Sequence, residues 1–424
     1  MNGTRKTALT IALCLALALL SACIVSPEYL AESQYIPTGS PTPTPEPTAA
    51  PTPEPTATPT PEPAATPVEP TAEPEQRETA ALEPEEGYYY SLLTESQKTL
   101  YHEIKHAFDD RTRQRYDLSS RSMEEVYIAR DHLILDYAEY YYMEAFLVLQ
   151  DDGPVYLLQD NNALSGIDQE LAIIRAEADG ILAAVPQGAG EYETVKWFFE
   201  WLCRNVSYEH TERDQIIPSV FIDRKTVCTG YARAFQYLCN RVDIPCAIVF
   251  GRADNRKTPP EDHAWNMVRL NGQYYWVDVT WADPIGTENT PDAYVGYFYL
   301  CTTDEFLFRT HTLEPFQGYY LQTATSTRYP KCEDESLLYS RQFGLFFDKY
   351  DRSAVANGII EYLKAGKDPM LMIQFREPAD VTRFIEETLP NILQALHNSG
   401  VSQYDNYTYW VYGDDGYVEV QFNP

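Results

Sequence analysis

The chain has 424 residues, 63 acidic against 32 basic, for a formal net charge of −31. So acidic a surface argues against nucleic acid or anionic membranes as partners, and leaves open a cationic substrate such as a lysine-bearing protein. There is no phosphate-binding glycine loop, no cysteine–histidine set with zinc spacing and no calcium-loop pattern, so neither metal nor cofactor is expected.

Arg5 and Lys6 precede an apolar run over residues 8–20 that is too short to span a bilayer, which reads as a secretion signal over residues 1–22. It ends in Leu20-Ser21-Ala22-Cys23, which resembles a bacterial lipobox; an ordinary signal peptide is the alternative. The resemblance implies acylation of Cys23, and so a membrane anchor on the extracellular face of the cytoplasmic membrane. Residues 23–86 read as a spacer, because 37–74 are almost entirely Pro, Thr, Glu and Ala. Such a stretch buries no core and favours polyproline conformation, reaching roughly 120 Å toward a cell wall at ~3.1 Å per residue.

Residues 87–180 are expected to be mostly helical. Leu92, Leu93, Leu100, Ile104 and Phe108 have helical spacing, as do Met123, Val126, Ile128, Leu133 and Leu135. Residues 140–149 read as a strand, and Tyr140-Tyr141-Tyr142 as a binding wall or a packing surface. Residues 168–207 predict two helices, the second amphipathic through Val195, Phe198, Phe199 and Leu202.

The chemistry concentrates in residues 226–281. Cys228 opens a predicted helix, with Thr226 or Thr229 available as a cap. A thiol at a helix start feels the positive dipole end, which favours thiolate. Against this, Cys228, Tyr231, Phe235 and Leu238 form one helical stripe, so core packing competes as an explanation. Asn271-Gly272 then predicts a two-residue hairpin turn. It pairs Leu270 with Gln273, Met267 with Trp276, Trp265 with Asp278 and His263 with Thr280. His263 and Asp278 would then be diagonal neighbours on one face, about 5–8 Å apart at Cβ. Asp283 is a rival for the aspartate's role, and His311 is expected to be a surface or loop residue. Residues 294–301 predict a further strand. From about residue 333, strands at 342–347 and 370–375, helices at 353–364 and 379–399, and a hairpin at 407–422 suggest a small α+β unit.

The residues Val-Cys228-Thr-Gly-Tyr-Ala, Ile244-Pro245, His263-Ala-Trp-Asn266 and Val277-Asp278-Val-Thr-Trp281 resemble the transglutaminase-like superfamily of papain-type cysteine enzymes, over roughly residues 190–310. The resemblance implies an α+β fold: a papain/transglutaminase-like core over 181–332, its cysteine helix packed on an antiparallel sheet, between the helical region and a C-terminal unit over 333–424. It implies Cys228 as nucleophile, His263 as base and Asp278 as third member. The Cys228 amide at the helix start is a natural oxyanion donor; a second is needed, and Tyr208 and Trp265 are the candidates for an oxyanion or supporting group. The expected reaction is acyl transfer through a thioester, on peptide or glutamine amide bonds of a protein or a peptidoglycan peptide. Hydrolysis and cross-linking both stay open, as does an inactive adhesion module of the same fold. The expected state is a monomer. Six cysteines follow Cys23, and mostly buried thiols rather than disulfides are expected.

Overall fold

A computed structural model describes residues 87–256, 258–283, 295–314 and 329–424. The signal sequence, Cys23 and the spacer lie outside the described residues. No described helix is long and apolar enough to cross a membrane.

The first buried core builds on the Glu95–Asp110 and Met123–Asp136 helices. Thr94 and Gln97 close a reciprocal capping box on the first, and Ser122 caps the second. The region is less purely helical than its periodicity suggests. β1 (Arg115–Asp117), β2 (Phe146–Gln150) and β3 (Val155–Gln159) form an antiparallel sheet in the order β1-β3-β2. The strand expected at 140–149 begins only at Phe146, after two 3-10 turns. Tyr140 and Tyr142 are buried against Phe108, and Tyr141 donates to Glu170 (2.6 Å), so the tyrosine cluster is packing and not a binding wall.

The Met123–Asp136 helix ends against the Cys228–Asn240 helix. A helix leaves its last carbonyls without internal partners. Here Arg233 Nη1, Gln236 Nε2 and Asn240 Nδ2 donate to the carbonyls of Ile134, Leu135 and Asp136 at 3.1, 2.7 and 3.0 Å. These donors recur at i, i+3 and i+7, on one helix face. The buried Asp136 carboxylate accepts the Tyr89 and Tyr90 amides and the Tyr101 hydroxyl.

Short β4 (Ser207–Tyr208) and β5 (Lys225–Thr226) pair in parallel ahead of the Cys228 helix. The central sheet has the order β8-β7-β6-β9, all antiparallel, from β6 (Cys246–Ala253), β7 (Glu261–Leu270), β8 (Gln273–Val277) and β9 (His311–Leu313). Asn271 and Gly272 both have positive φ (51° and 81°), as the two-residue turn requires. Leu270 pairs with Gln273 and Met267 with Trp276, as the turn dictates. The ladder stops at Asn266–Val277, so the expected Trp265–Asp278 and His263–Thr280 pairs do not form. Beyond Val277 the chain turns away: the Asp278 amide donates to the Tyr299 carbonyl, and the Ala282 and Asp283 amides bond back to Val279 and Thr280. The strand expected over 294–301 is likewise absent among its described residues. Tyr297–Tyr299 is a 3-10 turn, Tyr294 lies outside the described residues, and β9 supplies the fourth strand.

At the C-terminus, β10 (Leu345–Phe347), β11 (Met370–Phe375), β12 (Asn406–Tyr412) and β13 (Tyr417–Asn423) form a sheet ordered β10-β11-β13-β12, backed by the Arg352–Lys364 helix. The helix expected over 379–399 is broken by a π turn and a 3-10 turn around Pro390. The hairpin tip seats on the central domain. Tyr417 stacks on Phe298, and Arg309 donates to the carbonyls of Asp415 and Arg376, both at 2.7 Å. All six cysteines after Cys23 are buried, and none forms a disulfide.

Candidate active site

Cys228 is the first residue of its helix, and Val227 at the N-cap makes no side-chain cap bond. The expected threonine cap is not made. Thr226 turns inward, donating to the Asp214 carbonyl and pairing with Ser219 Oγ at 2.7 Å. Gly230 explains the Cys-Thr-Gly pattern: a Cβ there would lie 1.7 Å from Thr226 Oγ1 and 2.7 Å from the Asp214 carbonyl oxygen. Asn266 Nδ2 donates to the Ala232 carbonyl at 3.0 Å, tying the helix to β7.

His263 Nε2 meets Asp278 Oδ2 at 2.7 Å, although the two residues share no ladder pair. A second imidazole reaches the same oxygen: His311 Nε2 lies 3.0 Å from Asp278 Oδ2. The Trp281 amide donates to Oδ1 at 3.1 Å. His311 is therefore a core residue and not a surface one. Its ring centroid is 4.6 Å from Trp281, 5.1 Å from Trp265 and 5.4 Å from His263. Directly paired strand residues share a face, and β6 pairs Gly251 with His263 and Ala253 with His311. Both histidines thus rise from one face of the sheet. Gly251 lies on that face, where a Cβ would come within 2.6 Å of the Trp265 ring and 2.1 Å of the Thr312 carbonyl.

Cys228, His263, Asp278 and His311 are each at most 2% exposed. Burial pushes the His263 ring toward neutrality, but the Asp278 carboxylate more than reverses this, helped by Cys228, and lifts its pKa to about 10. Burial also opposes the Asp278 charge, yet His263 and His311 hold it below the usual carboxylate range. Burial dominates at His311 and lowers its pKa. The carboxylate thus favours charge on one imidazole, while burial biases the other toward neutrality. His263 Nδ1 makes no hydrogen bond of ordinary geometry, while Cys228 neighbours the same ring closely enough to bias its charge. An imidazolium beside a thiol at a helix start is an arrangement that can activate sulfur as a nucleophile.

Asp283 does not join this cluster. It accepts from the Tyr231 hydroxyl, and burial raises its pKa to about 7. Tyr208 pairs across β4–β5 with Thr226, two residues ahead of Cys228. Trp265 stacks on His263 at 5.9 Å and forms a wall for both imidazoles. Cys23 lies outside the described residues. His263, Asp278 and His311 offer three ligand atoms within 4.8 Å of one another, a set that could hold a metal ion, but the 2.7 and 3.0 Å contacts are hydrogen-bond lengths.

Residues 183–284 match the family model described as the transglutaminase-like superfamily. The chain is 30% identical over 134 residues to the kyphoscoliosis peptidase of Mus musculus, covering 28% of this chain and 19% of that protein. It is 29% identical over 162 residues to the Homo sapiens kyphoscoliosis peptidase, covering 35% and 22%. The chain thus spans about a fifth of the length of these curated relatives. A solved structure from Cytophaga hutchinsonii, provisionally titled a cysteine protease, aligns with a TM-score of 0.23 and 21% identity, covering 25% of this chain and 37% of that one.

Proposed function

Residues 183–284 belong to the transglutaminase-like superfamily, and from that premise we propose that Cys228, His263 and Asp278 carry out acyl transfer through a thioester. The observation that carries the reading is the 2.7 Å bond between His263 and Asp278, with Cys228 beside the same ring. The thiolate attacks the carbonyl carbon of a carboxamide or peptide bond and forms a C–S bond. His263 passes its proton to the departing nitrogen as the C–N bond breaks, leaving a thioester and releasing ammonia or an amine. Neutral His263 then takes a proton from water or an incoming amine, which displaces the sulfur. The Cys228 amide at the helix start is the first oxyanion donor, and Tyr208 or Trp265 is the second.

Water as acceptor makes a protease or amidase, and lysine makes a cross-link. A glutamine peptide offered with and without a primary amine separates them: amine incorporation by mass supports transfer, and deamidation or cleavage alone supports hydrolysis. The signal and spacer composition supports a lipid-anchored enzyme outside the cytoplasmic membrane, acting on a protein or peptidoglycan peptide. Release of a Cys23→Ser variant into the medium tests the anchor.

Complete burial of Cys228 favours a second reading, a binding module of this fold without turnover. A thiol probe separates the two. Labelling at neutral pH that is lost in Cys228→Ala and slowed in His263→Ala supports the enzyme. Labelling no faster than at Cys239 supports the module.

A further inference from the structure

We propose that His311 is a fourth, positioning member of the site, which fixes the Asp278 carboxylate so that it orients His263. This deepens the catalytic reading above and rests on it. The geometry carries the proposal. A carboxylate oxygen only accepts, so His311 Nε2 bears the hydrogen it directs at Asp278 Oδ2. With Trp281 N–H on Oδ1 and both imidazoles on Oδ2, the carboxylate has three donors and cannot rotate without breaking one. His311 is itself held: Nδ1 lies 2.8 Å from Thr310 Oγ1, and the ring packs against Trp281, Trp265 and Tyr299. The result is a continuous chain from Thr310 through His311 and Asp278 to His263, buried along its length.

The test is the pH profile of Cys228 alkylation by iodoacetamide, read alongside kcat and KM in the full chain. His311→Phe keeps ring volume and removes the donor. It is expected to slow alkylation at neutral pH and lower kcat by about 10–100-fold with KM little changed, because small misplacements of a reacting group cost that much. The acidic limb of its profile should move toward that of an ordinary thiol. His311→Gln restores an N–H donor and should recover most of the loss. In an Asp278→Asn background, His311→Phe should cost little more, since the group it positions is gone. If His311→Phe fails to fold, Thr310→Val removes the Nδ1 partner at nearly constant volume and should shift the profile the same way. A folded His311→Phe or Thr310→Val variant with the wild-type profile overturns the proposal and leaves His311 as packing. Wild-type Cys228 that reacts no faster than Cys239 instead overturns the catalytic reading, a distinct outcome.

Discussion

Replacing Asp278 with asparagine should reverse the pH behaviour of His263. The side chain keeps its volume and loses its charge. In the wild-type protein the ring's pKa sits at about 10 because the carboxylate overcomes burial. The rise from an ordinary value near 6.5 corresponds to a stabilisation on the order of 5 kcal/mol, shared with Asp278 and counted once. The folded pKa lies above the unfolded one. That stability is therefore fully present below about pH 6.5 and is lost as pH rises toward 10. In Asp278→Asn burial opposes the charged ring and only the smaller help of Cys228 remains, so the ring should lose its proton at lower pH than in the wild-type protein. Unfolding free energy should then stop falling between neutrality and pH 10, and removal of one partner from a buried pair should destabilise the fold by about 3–5 kcal/mol. Histidine ring NMR gives the midpoint, with His263→Gln identifying the signal among the seven histidines. Urea melts across pH give the slope. A His263 midpoint at or above the wild-type value in Asp278→Asn would refute the reasoning.

Three further outcomes follow from the packing. Gly251→Ala drives a methyl into the Thr312 carbonyl and the Trp265 ring, and should cost about 1–3 kcal/mol in a urea melt and slow Cys228 alkylation. Gln236→Leu removes the donor to the Leu135 and Cys246 carbonyls, and should cost about 1–3 kcal/mol while exposing residues 87–136 to limited proteolysis at lower temperature. Arg309→Met removes two carbonyl contacts to the C-terminal unit, and amide exchange at the β12–β13 tip should quicken while β7 exchange is unchanged.

The parts of the molecule legible in the sequence are those set by local chemistry. Asn271-Gly272 fixed the hairpin and its register, because a two-residue turn with two positive φ angles leaves little freedom. The α+β class of the central domain came with the resemblance to the transglutaminase-like superfamily, and only that of the C-terminal unit followed from period and punctuation. What stayed hidden depends on contacts distant in sequence. His311 is 33 residues beyond Asp278, and nothing near it announces that β9 pairs with β6. The available signal was Gly251, since a glycine inside an otherwise apolar strand often marks a close approach by another element. β8 ended at Val277, short of the expected pairing out to Thr280, because Asp278 bonds to Tyr299 and Trp281 instead of to β7, a tertiary preference that alternation does not encode. The break near Pro390 was readable from the proline itself, and the apolar spacing around it concealed it.

The three side-chain amide and guanidinium contacts to the carbonyls of residues 134–136 bear on how this protein can be cut. The segment that matches the family, 183–284, contains the donors but neither those acceptors nor β9. Excised at those limits it would leave three donors without their acceptors and an unzipped sheet edge. The borders drawn by ancestry and those drawn by cooperative folding do not coincide here, and a truncated fragment for expression should begin before Tyr88 and run past β9.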